Sequence, residues 1–178
     1  AEGVDKVMQE LLDYQIDGII TASVAMSSDL TERCRAAGIP IVMFNRGQDG
    51  SGLSSVTSAN HEGGRRVAEF FLAAGHARIA HISGWQGAST GRDRQRGFLD
   101  GLAAGGREPV AVIDGMFDRE ATIAATRDLM ARPAPPDAIF VGNDFMAFAV
   151  MDTLRAELGL RVPDDVSVVG YDDVPLAA

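Results

Sequence analysis

Short apolar runs rich in β-branched residues alternate with longer segments of helical periodicity along almost the whole chain. Most of the short runs are continuously apolar and do not alternate with polar residues. Continuous runs are typical of strands that are buried on both faces, as in a parallel sheet covered by helices. The pattern therefore predicts an α/β protein with strands at residues 18–21, 39–44, 78–83, 110–113, 137–141 and 166–171.

Capping and stop signals indicate where the helices between these strands begin and end. The expected N-caps are Ser28, Asn60, Asp118 and either Asn143 or Asp144. The expected stops are Gly38, Gly75, Pro133 and Gly159. A further helix is predicted over residues 90–104, and an opening helix carries Val7, Leu11 and Leu12 on one apolar face. The stretch from residue 47 to 55, rich in Gly and Ser, is predicted to be a loop.

Length, composition, net charge and cysteine count limit the classes of protein to which this chain can belong. The chain has 178 residues, 46% of them hydrophobic, which suits one sizeable domain or two small lobes. The net charge of −9 disfavours nonspecific binding to DNA or to anionic membranes. The single cysteine, Cys34, permits no intrachain disulfide and fits a reducing cytoplasm. No apolar run approaches the roughly 18 residues that a membrane span needs.

Polar residues follow four of the predicted strands, and an aromatic residue follows a fifth. Ligands of open α/β sheets bind outside the carboxyl ends of the strands, so these positions are the candidate site. They are Thr21 to Ser23, Asn45-Arg46, Gly84-Trp85, Asn143-Asp144 and Asp172-Asp173. Amides and carboxylates that pair with hydroxyls, next to rings that cover apolar faces, suit a sugar or a nucleobase.

Position alone also permits purely structural roles for the same residues. Asp144 could serve only as a helix cap, and Asp172 could lie in an ordinary turn. Arg94 belongs to a group of three helical arginines that could face solvent, and Trp85 could be a packing residue. The histidines show no metal-ligand spacing, and no nucleotide fingerprint or nucleophile motif is present, so neither a cofactor nor an enzyme is predicted.

Four segments resemble the regulatory core of the lactose-repressor (LacI/GalR) family. They are residues 60–65 (NHEGGR), 75–84 (GHARIAHISG), 136–144 (PDAIFVGND) and 162–173 (VPDDVSVVGYDD). The similarity extends through nearly the whole chain, with the motifs in consistent order. The resemblance implies a periplasmic-binding-protein-like fold of two Rossmann-like lobes with parallel sheets flanked by helices and an effector in the cleft between them.

The resemblance also implies particular ligand-binding residues. Arg94, three positions before Gly97, resembles the effector-binding arginine of the family. Asn143 resembles the asparagine of the effector cleft and Asp172 its aspartate. Phe117 matches a position at which an aromatic ring often covers the ligand. Asn45 stands where many members carry Asp, and an amide there removes a charge.

The layout of the family implies that residues 1–59 are part of the N-terminal lobe, which is incomplete in this chain, and that residues 60–178 are most of the C-terminal lobe. The expected function is the dimerising, effector-sensing core of a cytoplasmic repressor. Its partners would be a small polar effector, most often a sugar in this family, and operator DNA bound through a headpiece outside this chain. The alternative is a periplasmic sugar-binding protein of a transporter. No cofactor, metal or membrane partner is expected.

Overall fold

The computed structural model describes residues 16–24, 28–48, 50 and 52–177. The opening helix predicted through Val7, Leu11 and Leu12 lies outside these residues. The chain divides into two compact units, residues 1–58 and 59–178. In both units every paired strand of the described residues is parallel, and helices connect most successive strands. The predicted α/β class is therefore confirmed.

The first unit contains a three-stranded parallel sheet. Its strands are β1 (Ile19–Ala22), β2 (Ile41–Phe44) and β3 (Ser54–Val56), in the order β1-β2-β3. Helix α1 (Ser28–Ala36) connects the first two strands. A small apolar core forms where Ile19, Cys34 and Ile41 pack together.

Strand β3 corrects the loop predicted for residues 47–55. Residues Ser54 to Val56 are all exposed and pair on one side only, with the backbone of β2. An edge strand of this kind is stabilised by main-chain hydrogen bonds and buries little side-chain surface. It therefore needs no apolar run, and the sequence pattern contains no signal for it. The described residues contain seven strands, one more than the six that the pattern predicts.

The second unit contains a four-stranded parallel sheet in the order β5-β4-β6-β7. The strands are β4 (Ile79–Ser83), β5 (Ala111–Asp114), β6 (Ala138–Val141) and β7 (Ser167–Val169). The helices are α2 (Asn60–Ala73), α3 (Ser89–Ala104), α4 (Arg119–Met130) and α5 (Asp144–Asp152), followed by a π-helical turn (Thr153–Glu157) and a 3₁₀ turn (Pro175–Ala177).

The two central strands of this sheet, β4 and β6, are buried along their whole length. One face of the sheet packs on α4 and α5, where Ile82, Leu129 and Val150 belong to one apolar cluster. The other face packs on α2 and α3 through Phe71, Phe98 and Phe140. Burial on both faces explains why these strands are continuous apolar runs in the sequence.

Two of the predicted N-caps are confirmed and one is wrong. The side chain of Asp118 accepts a hydrogen bond from the backbone N–H of Ala121 at 2.8 Å. The side chain of Asn143 accepts one from the N–H of Met146 at 2.9 Å, so Asn143 and not Asp144 caps α5. Asn60 does not cap α2 but is its first residue. Its side-chain oxygen has a different partner, because it is turned inward.

Helices α2 and α3 approach each other so closely that glycine is required at the contact. A Cβ atom added to Gly64 would overlap the carbonyl oxygen of Arg94, and one added to Gly97 would overlap the carbonyl oxygen of His61. These neighbours are main-chain atoms, which cannot rotate away. The start of α2 is therefore in direct main-chain contact with the second turn of α3.

Replacing Gly64 by Ala tests this contact. In an open helix Gly→Ala stabilises by roughly 1 kcal/mol, since alanine is the better helix former. Here we expect destabilisation by about 2–3 kcal/mol in urea unfolding, because the helices must move apart. The surface pair Arg66→Gly and Arg66→Ala measures the intrinsic difference on the same helix. A Gly64→Ala variant more stable than the unaltered protein would contradict the close contact.

His81 is fully buried in the sheet and has only one hydrogen-bond partner among the described residues. Its Nδ1–H donates to the carbonyl of Phe140 at 2.9 Å, and its ring stacks on the Phe140 ring with centroids 4.7 Å apart. Nε2 is buried and unpaired within the described part of the chain. Burial lowers the pKa of His81 to about 4, although the Phe140 carbonyl and the Asp114 charge oppose the shift.

We expect acid to destabilise the protein through His81. The folded state favours neutral imidazole, so the stabilisation is complete above the ordinary pKa near 6.5 and is lost as the pH falls from 6.5 toward 4. The full loss amounts to about 3 kcal/mol. Urea unfolding of a His81→Leu variant at pH 7 and pH 4.5 should show a smaller pH dependence than the unaltered protein.

Candidate functional site

The loops that follow β4, β5, β6 and β7 meet at the carboxyl edge of the second sheet. Several non-glycine residues there have left-handed backbone conformations: Met116 (φ 60°), Phe117 (φ 54°), Asp172 (φ 113°) and Asp173 (φ 57°). Such conformations cost free energy and persist only where surrounding contacts fix them. The edge is therefore built to hold particular side chains in fixed positions.

Arg94 lies on the second turn of α3 and is only 6% exposed. All three nitrogens of its guanidinium donate hydrogen bonds. Nε donates to Oδ1 of Asn60 at 2.9 Å, Nη1 to the carbonyl of Gly142 at 2.7 Å, and Nη2 to Oδ1 of Asp172 at 2.8 Å. The burial of Arg94 excludes the solvent-facing role that its sequence position also allows.

The Tyr171 ring covers one face of the same guanidinium, whose central carbon lies 3.9 Å from the ring centroid. A cation held over an aromatic face gains electrostatic stabilisation that is larger in a desolvated site. Arg94 is therefore fixed by three hydrogen bonds in its plane and by one ring above it. Partial burial raises the pKa of the Tyr171 hydroxyl, against the opposing effect of Arg94.

Asp172 is paired with Arg94 but is not enclosed, since 37% of its side chain is exposed against 7% for Arg94. Burial raises the pKa of the Asp172 carboxyl, although the charge and the hydrogen bond of Arg94 oppose this shift. The carboxylate is therefore partly desolvated without full compensation. Oxygens in this condition gain from further donors, and ligand hydroxyl groups supply such donors.

Phe117 lies across the end of β4. A Cβ atom on Gly84 would overlap the Phe117 ring, so only glycine allows the ring to lie there. Phe117, Arg119, Phe145 and Met146 line a depression of about 230 Å³. Phe145 is 65% exposed, which leaves an aromatic face open to solvent next to Phe117. The edge thus combines a charged pair with apolar surface.

Asn143 and Asp144 follow β6 and both make structural hydrogen bonds. Asn143 caps α5 through its side-chain oxygen. Oδ2 of Asp144 accepts a hydrogen bond from the N–H of Val174 at 3.0 Å, which ties the loop after β7 to the start of α5. A depression of about 440 Å³ adjoins these groups and is lined by Asp144, Gly170, Tyr171, Asp172, Asp173 and Ala177.

Asn45 belongs to the first unit, at the carboxyl end of β2. Its backbone is left-handed (φ 65°), and its side-chain Nδ2 donates to the hydroxyl of Ser23 at 2.9 Å. Ser23 follows β1 and is also left-handed (φ 58°). Two polar side chains thus meet at the carboxyl edge of the first sheet, as the sequence pattern predicts for an open α/β sheet.

The structure brings Arg94 and Asp172 into direct contact, and it places the backbone of Gly142, next to Asn143, against the same guanidinium. Sequence reasoning misses Tyr171 and assigns Asn60 another role. A tyrosine next to the predicted Asp172 offers a weak signal. Asn60 offers none, because an Asn before an apolar helix is also the usual sign of an N-cap.

The described residues contain no candidate metal cluster and no candidate membrane-spanning helix. No group of three or more His, Cys, Asp or Glu side chains in this part of the chain could hold a metal ion. None of its helices combines the length and the apolar character that a bilayer crossing requires.

Comparison with known proteins identifies the class to which this architecture belongs. The chain is a member of the family of periplasmic binding protein-like domains, which matches residues 68–178. Among curated relatives, the probable HTH-type transcriptional repressor ExuR of Bacillus subtilis is 34% identical over 180 residues, which cover 97% of this chain and 53% of the relative. The chain thus spans about half the length of this relative.

Solved structures of regulators and binding proteins are also similar to this chain. The transcriptional regulator CelR in complex with cellobiose matches with a TM-score of 0.86 and 34% identity, covering 97% of this chain and 54% of that one. A Caulobacter myo-inositol binding protein bound to myo-inositol matches with a TM-score of 0.88 and 27% identity, covering 97% and 61%. Other matching structures are regulators of the LacI family, which confirms the LacI/GalR resemblance.

Replacing Arg94 by Lys tests whether the stability of the fold requires the planar guanidinium group with its several donors. A lysine keeps the charge, but its single ammonium group cannot reach Asn60, Gly142 and Asp172 together, so buried acceptors lose their donor. We expect a loss of about 2–4 kcal/mol in urea unfolding. Arg66→Lys is the control, since the Arg66 side chain is 74% exposed, and it should change stability little. Equal stability of the two variants would contradict a stabilising role for the buried Arg94 guanidinium.

Proposed function

We propose that this chain is the effector-binding core of a LacI-family transcriptional regulator. The observation that carries the proposal is the buried Arg94, which holds a half-exposed Asp172 at the carboxyl edge of the second sheet. The geometry offers a ready acceptor on Asp172 and apolar surface on Phe117. The relatives are regulators, which fits binding without turnover.

The effector we propose is a small polyhydroxylated molecule, with a sugar as the first candidate. A hydroxyl group both donates and accepts, so it can add a hydrogen bond to the second oxygen of Asp172 without leaving a buried charge unpaired. The C–H face of a sugar ring is apolar and suits the ring of Phe117. Cellobiose in CelR supports this class. A nucleoside or purine would use the same groups and stays open.

Within this proposal Arg94, Phe117, Asn143 and Asp172 bind the effector from the second unit, and Asn45 binds it from the first. Residues 1–59 and 60–178 then correspond to part of the N-terminal lobe and most of the C-terminal lobe. Asn143 contributes the two N–H donors of its amide, since its oxygen caps α5.

The partners of the whole protein are also part of the proposal. The curated relative ExuR carries the description HTH-type, and this chain spans about half of its length. We therefore propose operator DNA as a partner bound outside this chain, and a homodimer in the cytoplasm. The net charge of this chain, −9 in total, does not favour DNA contact by the chain itself.

A second candidate is a sugar-binding component of a transporter. The structural match to a myo-inositol binding protein favours it, because that protein has the same fold. Both candidates predict ligand binding at the same edge. Only the regulator predicts ligand-dependent binding to a specific DNA sequence, so a DNA-binding assay on the full-length protein distinguishes them.

Thermal denaturation against a ligand panel tests the proposal. The panel contains cellobiose, myo-inositol, pentoses, hexoses, other disaccharides, nucleosides and purines. A ligand at roughly 100 times its Kd stabilises the native state by about 2.7 kcal/mol, so the midpoint should rise by several degrees. Asp172→Ala should abolish the rise. Asp164→Ala, which removes an exposed carboxylate paired with Arg161, should retain it.

The two possible failures have different meanings. A rise that survives Asp172→Ala would place the ligand elsewhere and overturn the proposed site. No rise with any compound would overturn the sugar assignment first, since the fold rests on independent evidence.

A further inference from the structure

Asn60 is the first residue of α2 and lies one residue after the start of the second unit at Ala59. It is only 2% exposed, although it is polar and stands at a helix end. Buried amides require hydrogen-bond partners. Its Oδ1 accepts from Nε of Arg94, 34 residues further along the chain, at 2.9 Å. The first residue of α2 is thus hydrogen-bonded to the proposed ligand-binding arginine.

The bond to Asn60 determines how the guanidinium is oriented. Nη1 and Nη2 bond to Gly142 and Asp172, which lie just beyond the ends of two strands of the sheet. The third guanidinium nitrogen, Nε, donates to the side-chain oxygen of Asn60, which belongs to helix α2. Three acceptors on different elements fix the plane over the Tyr171 ring. Without the Asn60 oxygen, the plane is free to tilt about the other two bonds.

The start of α2 cannot move independently of Arg94. A Cβ atom on Gly64 would overlap the Arg94 carbonyl, and one on Gly63 would overlap the Tyr171 ring. The first turn of α2 therefore touches the backbone of Arg94 and the ring that covers its side chain. A displacement of Arg94 must displace this turn, and with it the residues at 57–59 that lead into it.

We propose that Asn60 is a positioning residue for effector binding, which holds the Arg94 guanidinium in its binding orientation and ties it to the crossover segment at residues 57–59. The part of the inference that concerns effector affinity rests on the proposed function. A ligand that moves Asp172 or Arg94 thereby acts directly on the segment through which the chain enters the second unit.

The experiment compares Asn60→Ala and Asn60→Asp in the full-length protein. The first readout is the ¹⁵N–¹H signal of the Arg94 Nε–H group and its exchange rate with water, assigned with Arg94→Lys. The second is the affinity for the panel compound that raises the thermal midpoint most. Arg66→Ala, at an exposed position of the same helix, is the control.

We expect Asn60→Ala to accelerate exchange of the Arg94 Nε–H proton and to weaken ligand binding by about tenfold, the effect of losing one charge-assisted hydrogen bond. Asn60→Asp retains an acceptor oxygen and should keep both properties close to those of the unaltered protein. If Asn60→Ala does not fold, Asn60→Ser replaces it, because its shorter side chain cannot span the same distance to Arg94.

A folded Asn60→Ala variant with an unchanged Arg94 signal would overturn the inference, whatever its affinity. Weaker binding in both Asn60→Ala and Asn60→Asp would also overturn it, since a retained acceptor should rescue a positioning role. If no compound binds even the unaltered protein, the sugar assignment fails first, and the Arg94 signal alone then decides the positioning role.

Discussion

The need to neutralise one buried cation shapes the carboxyl edge of the second sheet. Arg94 is 6% exposed, and a guanidinium removed from water must regain its hydrogen bonds within the protein. The strand end at Gly142, the loop at Asp172 and the helix start at Asn60 each supply one acceptor. These segments are far apart in sequence, so satisfying Arg94 fixes their relative positions. The same arrangement leaves the Asp172 carboxylate partly exposed at the edge of the sheet, next to the buried Arg94.

Backbone geometry makes this convergence possible. Gly64 and Gly97 let the main chains of α2 and α3 touch, which brings Asn60 within reach of Nε of Arg94. Gly84 leaves room for the Phe117 ring across the end of β4. The left-handed residues at the strand ends then turn the loops back over the edge of the sheet. The cost of these conformations is offset by the large buried core beneath them, which is apolar on both faces of the sheet.

The proposed site would couple ligand binding to stability. Arg94 is a structural group, and if it also contacts the effector as proposed, a bound effector would alter interactions that hold the unit together. This coupling is what allosteric regulation requires, because a ligand shifts a population only through contacts that differ between states.

The sequence by itself determined the α/β class, most strands, the cap at Asp118 and the candidates Arg94 and Asp172, because periodicity, capping and family motifs are read from the sequence. It left the cap of α5 open between Asn143 and Asp144, and the structure decides for Asn143. It did not reveal β3, whose stability comes from backbone pairing and leaves no side-chain pattern. It assigned Asn60 to a helix cap, since a local rule cannot detect a partner 34 residues away. Only the tertiary structure decided that Arg94 is buried and that Tyr171 covers it, because both depend on contacts between segments that are far apart in the sequence.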